Sequence, residues 1–286
     1  MRRFLAWPFL LVLTGLGLFG ASHEQPRASL NAMKADGGTY LGFDRNDYPG
    51  DDALPVLRKS FVFAGYWLSS PPGTKSNSWT GKRSAMRAQG FGFLLLYQGR
   101  TAGQLPNTKT SIEAGETDAR AAAAAARREG FPEGSVIFLD VEEGGRLLDG
   151  YHGYLRSWAQ SLQKERFRPG IYCSGIAVDE GQGITIISAD DIRAHIGVSD
   201  AVYWVFNDSC PPSPGCGIPV TPPAPPASGV KYAEVWQYVR SPRDKKIAKH
   251  CTGYAGDGNC YAPFDTKHQW ILDLDAARTA DPSAPH

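Results

Sequence analysis

The sequence predicts an α/β protein: a TIM-like (β/α) barrel whose last three strands are irregular and poor in helix. Three observations predict it. Short, almost wholly apolar runs such as 91–98 (FGFLLLYQ) and 135–142 (SVIFLDVE) have the character of strands buried on both faces. These runs alternate with helical patterns through the first two thirds of the chain, which implies a parallel sheet. Eight of them fit into about 240 residues, the count and size of a closed barrel.

In chain order, 40–44 is the first strand, and 52–60 has room for two helical turns. Residues 61–68 are an aromatic-rich second strand, 81–89 a short basic helix, and 91–98 the third strand. The alanine-rich stretch 116–129 is a strong helix former, ended by Gly130 and Pro132. After the fourth strand, 135–142, an amphipathic helix spans 151–165 with Tyr151, Tyr154, Leu155, Trp158 and Leu162 on one face. Residues 168–174 are the fifth strand, and Ser188 is placed to cap a helix running to 196, with Asp190 and Asp191 in its first turn. The last strands are 201–207, 234–239 and 270–274. Long segments join them: a Pro-rich one (208–229) and a Cys- and Gly-bearing one (240–268). An open doubly wound sheet is the competing architecture. The first turn, Gly42-Phe43-Asp44-Arg45-Asn46-Asp47, lacks the glycine-rich phosphate cradle such a sheet carries.

The composition excludes several partners. With 42% hydrophobic and 21% charged residues the chain can build a core and is not disordered. A net charge of +1 provides no field to hold nucleic acid or an anionic membrane. Seven Trp and twelve Tyr suit stacking on sugar faces. At the start, Arg2 and Arg3 precede an apolar run, 4–19, and the small residues Gly20, Ala21 and Ser22. That is the layout of a cleavable secretory signal over 1–22, similar to a twin-arginine leader. A polar linker over 23–38 and one barrel domain over 39–280 follow, in a secreted or periplasmic monomer without stable membrane insertion.

Export makes disulfides plausible. Of the five cysteines, Cys210 with Cys216 and Cys251 with Cys260 form the simplest local pairs, though spacing alone fixes no pairing. None has the two-residue spacing of a zinc knuckle. Cys173 lies in an apolar strand and reads as a buried free thiol, with His152 and His195 the only candidate bases and neither obviously oriented.

A parallel barrel works at the C-terminal ends of its strands. The polar residues there are Asp44, Gln98, Asp140, Glu142, Asn207, Asp208, Gln237 and Asp273. Asp140 and Glu142 are two apart on one strand, so both aim into the mouth, roughly 7 Å apart along the strand. Two such acids do not ionise independently, and one keeps its proton near neutral pH. That pairing is what glycosidic bond cleavage needs. Divalent-metal chemistry on these carboxylates is the weaker alternative, because no His accompanies them; no metal and no cofactor is expected. The Gly-x-Ser-x-Gly elbow of serine hydrolases is missing.

Gly42-Phe43-Asp44, Phe138-Leu139-Asp140-Val141-Glu142, Gly170-Ile171-Tyr172, Trp236-Gln237-Tyr238 and Leu272-Asp273-Leu274-Asp275, in that order, resemble the muramidases of glycoside hydrolase family 25. The closer resemblance is to the glycoside-hydrolase-like proteins of domain-of-unknown-function family 1906, from about Tyr40 to Ala277. The resemblance implies Glu142 as general acid and Asp140 as the carboxylate that orients the substrate's N-acetyl group. It implies Asp44 and Asp273 as flanking acids, and Tyr172, Trp236 and Gln237 as lining for the sugar site. With Tyr66, Gln98 and Asn207 these make the candidate substrate-binding set. The expected activity is carboxylate acid/base cleavage of peptidoglycan or a related β-linked polysaccharide. The alternative is a non-catalytic glycan-binding barrel, a scaffold or sensor at the cell envelope.

Overall fold

The structure, a computed structural model, describes residues 38–208, 223–240 and 272–285. The expected leader, the linker up to residue 37, and Cys210, Cys216, Cys251 and Cys260 lie outside the described residues.

Strand β1 is Tyr40–Asp44, and a 3-10 turn (Asp51–Ala53) runs into α1, Leu54–Leu57. Next come β2 (Phe63–Trp67), α2 (Arg83–Ala88) and β3 (Gly92–Gln98). Helix α3 is Thr108–Arg128, β4 is Val136–Asp140, α4 is Asp149–Lys164 and β5 is Arg168–Ser174. A hairpin, β6 (Ala177–Gly181) and β7 (Ile184–Ile187), precedes α5, Ser188–His195. Strand β8 (Val202–Phe206), a 3-10 turn (Pro225–Ser228), β9 (Ala233–Val239) and β10 (Asp273–Ala277) complete the order.

Eight strands close a barrel in the order β1-β10-β9-β8-β5-β4-β3-β2, while β6 and β7 pair only with each other. Closure removes the open-sheet alternative. Each of the first five barrel strands leads into helix; among the described residues no α-helix follows the last three.

The chain departs from the expected elements at several places. Helix α3 starts at Thr108, eight residues before the alanine run, because the Asn107 side chain accepts the Thr110 N–H and caps it. Ser188 does not cap α5. Its hydroxyl donates to the Gly145 carbonyl at 3.0 Å instead, tying α5 to the segment after β4. The exposed β6–β7 hairpin has no buried face to give it a strong apolar pattern. The Pro-rich stretch ends in the Pro225–Ser228 turn, where Pro225 and Ser228 are buried.

The largest correction is the last strand. Among the described residues it is Asp273–Ala277 where 270–274 is expected, with 270 and 271 outside the described residues, and it runs antiparallel to both β1 and β9. Ala276 and Ala277, weak strand formers by propensity, extend it because two neighbours supply its ladder. Asp273 therefore opens its strand rather than closing it. The reversed direction still brings Asp273 level with Asp44, its register partner.

Trp204 and Phe138 meet edge to face in the core at 6.0 Å, and Tyr172 closes on Trp204 at 4.6 Å. The opposite end is plugged by the segment after β10. Asp281 Oδ1 accepts the Phe93 N–H at 2.8 Å and Ser283 Oγ the Leu95 N–H at 2.9 Å. Ser283 also donates to the Phe93 carbonyl and accepts from the Val136 N–H. Residues beyond 280 thus hydrogen-bond to barrel strands β3 and β4.

Candidate active site

A cleft of about 770 Å³ opens at the mouth where β1, β4, β5 and β8 end and β10 begins. Asp44, Asp140, Glu142 and Asp273 all line it, together with Tyr172 and Gln237. Six of the ten candidate residues therefore converge. Asp44 fits because its neighbour on β2 is glycine: a Cβ at Gly65 would stand 2.7 Å from the Asp44 Cβ.

The other four do not line the cleft. Tyr66 is fully buried on the outer side of its strand, where its hydroxyl donates to Glu129 Oε2 at 2.5 Å and its ring packs on Trp79, Phe93 and Phe131. Trp236 also faces outward, since its neighbour Gln237 faces in and strand side chains alternate. Its indole N–H donates to the Asn207 carbonyl at 3.0 Å. Asn207 itself donates to the Ser228 carbonyl at 2.7 Å and anchors the 3-10 turn. Gln98, level with Asp140 in register, is exposed at the rim.

The acids form two close pairs. In the deeper pair, Asp44 lies beside Asp275, a fully buried residue on β10. Gln237 Nε2 donates to Asp44 Oδ2 at 2.7 Å, Tyr172 donates to Gln237 Oε1 at 2.9 Å, and Trp204 Nε1 donates to Asp275 Oδ1 at 3.0 Å. Burial raises the Asp44 carboxyl to about 8; Asp273 and Glu142 add to the rise, while the Gln237 and Asp275 hydrogen bonds oppose it. Burial, then the Asp44 charge and hydrogen bond, push Asp275 well above the carboxylate range.

The outer pair is Asp140 with Glu142. Burial is the main cause of a strongly raised Asp140 carboxyl, followed by the Glu142 charge and a hydrogen bond to Glu142. Asp140 is 5% exposed. Glu142 is open to the cleft. Burial and the Glu142 charge thus favour the protonated form of Asp140, which lies beside Glu142 at the open side of the cleft.

Sequence reasoning passed over Asp275, Arg45, Trp67, Trp204 and Arg240. Asp275 has the same two-residue offset from Asp273 that singled out Asp140 and Glu142; reading the strand as 270–274 left it outside. Trp67, Trp204, Phe206 and Pro72 give the cleft apolar walls, and Arg45 and Arg240 add positive charge. Arg240 pairs with Asp208 at 3.1 Å and lies over the Phe206 ring. Cys173 is a buried free thiol, as expected, and burial, then the charge of Asp190, push it above its ordinary range.

The barrel and its carboxyl-lined mouth define a glycoside hydrolase-like protein. Residues 62–215, more than half of the chain, match the Rv2525c-like, glycoside hydrolase-like domain, and the chain belongs to that family. No curated protein matches the chain significantly. Among solved structures, it is similar to an uncharacterized protein of B. stearothermophilus, with a TM-score of 0.51, 19% identity, and coverage of 83% of this chain and 95% of that one. It is similar to the spore cortex lytic enzyme SleM of Clostridium perfringens, with a TM-score of 0.51, 13% identity, and coverage of 85% of this chain and 69% of that one. It is also similar to GHIP, a glycosyl hydrolase 25 of Streptococcus pneumoniae, with a TM-score of 0.50, 11% identity, and coverage of 82% and 86%. At these identities the likeness shows the barrel fold alone.

Proposed function

We propose that the chain is an exported glycosidase that cleaves peptidoglycan or a related β-linked glycan bearing N-acetyl groups. The observation that supports this reading is the Asp140–Glu142 pair, a buried carboxyl that burial and its neighbour's charge push upward, beside an exposed acid at the cleft mouth. Names in the wider fold group point the same way: SleM is a spore cortex lytic enzyme and GHIP a glycosyl hydrolase 25.

The chemistry follows from the pair. A glycan entering the cleft displaces water from Glu142, which strengthens the electrostatics there. The shared proton passes from Asp140 to Glu142, and Glu142 gives it to the departing glycosidic oxygen as the C–O bond breaks. The substrate's acetamido oxygen bonds to the anomeric carbon. Asp140, now ionised, holds the acetamido N–H and balances its positive charge. Water then attacks that carbon as the bond from the acetamido oxygen breaks and the amide is restored, and Glu142 takes the proton that the water gives up. Asp44 and Asp273 set the field in which Glu142 and Asp140 exchange it, and the Gln237–Tyr172 chain fixes the Asp44 carboxyl. No step needs a cofactor. No helix among the described residues is long and apolar enough to cross a membrane, and the leader, if cleaved, frees a mature chain from residue 23 outside the cytoplasm.

Glycan turnover tests the reading. The mature chain, residues 23–286, is incubated with purified peptidoglycan and with chitin- and glucan-type oligosaccharides, and new reducing ends are counted. Release should fall by roughly a hundredfold or more in Glu142→Gln, in keeping with the loss of a general acid. No release from any substrate, with wild type and Glu142→Gln binding glycan equally, would replace the glycosidase with a glycan-binding barrel.

A further inference from the structure

A second cluster of ligating side chains lies away from the cleft, between α4 and α5. His152, Asp191 and His195 each offer one ligand atom, and these atoms lie within 4.8 Å of one another. The two imidazoles stack with centroids 4.0 Å apart and planes 17° from parallel. The Asp191 side chain is 1% exposed and serves both rings. Its Oδ2 accepts from His152 Nε2 at 2.7 Å, and its Oδ1 lies 3.6 Å from His195 Nδ1. His195 Nδ1 lies 2.7 Å from the Asp191 main-chain oxygen and must carry the proton there, because a carbonyl can only accept. A neutral His195 then has its lone pair on Nε2. None of the three residues lines the cleft.

We propose that His152, Asp191 and His195 bind one divalent transition metal of the zinc class. Two imidazole nitrogens and one carboxylate oxygen suit a borderline cation, and suit magnesium or calcium poorly. Zinc bonds to such atoms measure about 2.0–2.2 Å, so the ligand atoms of a tetrahedral site stand roughly 3.4 Å apart. The cluster must therefore close by about an ångström. The His195 side chain, 43% exposed, has the freedom to move, and its open side leaves the fourth position to water. The metal takes the place of the His152 Nε2 proton, and the neutral ring carries its proton on Nδ1 instead.

Outer hydrogen bonds already hold the ligands and tie them to the segment that follows β4. Asp191 Oδ2 also accepts the Leu147 N–H at 2.9 Å, and Ser188, at the start of α5, donates to the Gly145 carbonyl. Both partners lie in the segment that follows Glu142. A metal here clasps α5 to that segment and to α4, a structural role distinct from the chemistry in the cleft.

The test uses the full mature chain, treated with chelator and titrated with zinc chloride by calorimetry and with cobalt(II) by absorption. One equivalent should bind, and its affinity should fall by about a hundredfold or more in His195→Ala and in His152→Asn. The cobalt form should show visible d–d bands without the intense near-ultraviolet band of thiolate ligation, which separates this site from Cys210, Cys216, Cys251 and Cys260. His195 is half exposed, so His195→Ala keeps the fold even if His152→Asn does not. Uptake that survives both substitutions, a thiolate band tracking all of it, or no uptake would overturn the proposal.

Discussion

Asp44 carries a large electrostatic cost in the cleft, and that cost has a sign. Its carboxyl rises from an ordinary 3.8 to about 8, with burial the largest cause. An acid whose folded value lies above its unfolded one binds its proton more tightly in the native state. Its contribution thus favours the fold below about pH 4 and is lost as pH rises to about 8, on the order of a few kcal/mol. Asp140 and Asp275 shift in the same direction and deepen the decline. Asp44→Asn removes the titration yet keeps an oxygen to accept from Gln237 Nε2. Chemical denaturation should find this variant near wild type at pH 4 and more stable by a few kcal/mol at pH 8. Parallel stability curves would mean that Asp44 is not the strained group. This residue-scale chemistry was only partly visible in the sequence. Asp44, Asp140, Glu142 and Gln237 announce themselves as polar residues in apolar runs. Tyr66 and Trp236 lie outside the cleft because of strand phase: Gln237 and Trp236 are adjacent and cannot both face in. The pairing of His152 and His195 through Asp191 was invisible, since it needs α4 and α5 side by side.

At the scale of elements, α3 fits closely against α4. Gly115 of α3 faces the α4 backbone, where an added Cβ would stand 2.5 Å from the Tyr154 carbonyl oxygen and 2.8 Å from the Trp158 nitrogen. Two effects compete in Gly115→Ala. Helix propensity favours alanine by about 1 kcal/mol. Overpacking against a backbone that cannot yield costs about 1–3 kcal/mol or more, so the substitution should destabilise. Gly153 of α4 is the control, because its Cβ would meet the Ile112 and Thr108 side chains at an ordinary 3.6 Å. Urea midpoints should fall for Gly115→Ala and hold or rise for Gly153→Ala, both with an unchanged slope. A rise for both would show that the interhelix contact is looser than described. The same packing is one reason the elements were legible. The Ala-rich face of α3 and the aromatic face of α4 are complementary, and both patterns stand in the sequence. The hairpin β6–β7 and the true span of β10 were not legible, because the first buries little and the second draws its ladder from β1 and β9, not from its own propensity.

At the scale of the whole molecule, the barrel has one working end and one sealed end, and the seal comes from the far end of the chain. Where β3 and β4 part, the Phe93, Leu95 and Val136 N–H groups would lack acceptors; Asp281 and Ser283 supply all three. No apolar pattern could reveal this, because the plug is short, polar and nearly 190 residues away, with |i−j| of 188 for both side-chain contacts. Each buried donor left without a partner costs about 1–3 kcal/mol, against a total stability of about 5–15 kcal/mol for a typical domain. A chain ending at Ala280 exposes all three donors and the Phe93 carbonyl, so it should lose most of its stability or fail to fold. Ser283→Ala is milder: it removes only the Leu95 acceptor and keeps the main-chain bonds, and should cost about 1–3 kcal/mol. The cleft lies at the opposite mouth, so any glycan turnover or binding by Ser283→Ala should match wild type at a temperature where both are folded. Thermal unfolding of the three chains checks the order wild type, Ser283→Ala, truncation. If the truncated chain melted with wild type, the plug would be a passive cover, and the parted strands would have to find their partners in water.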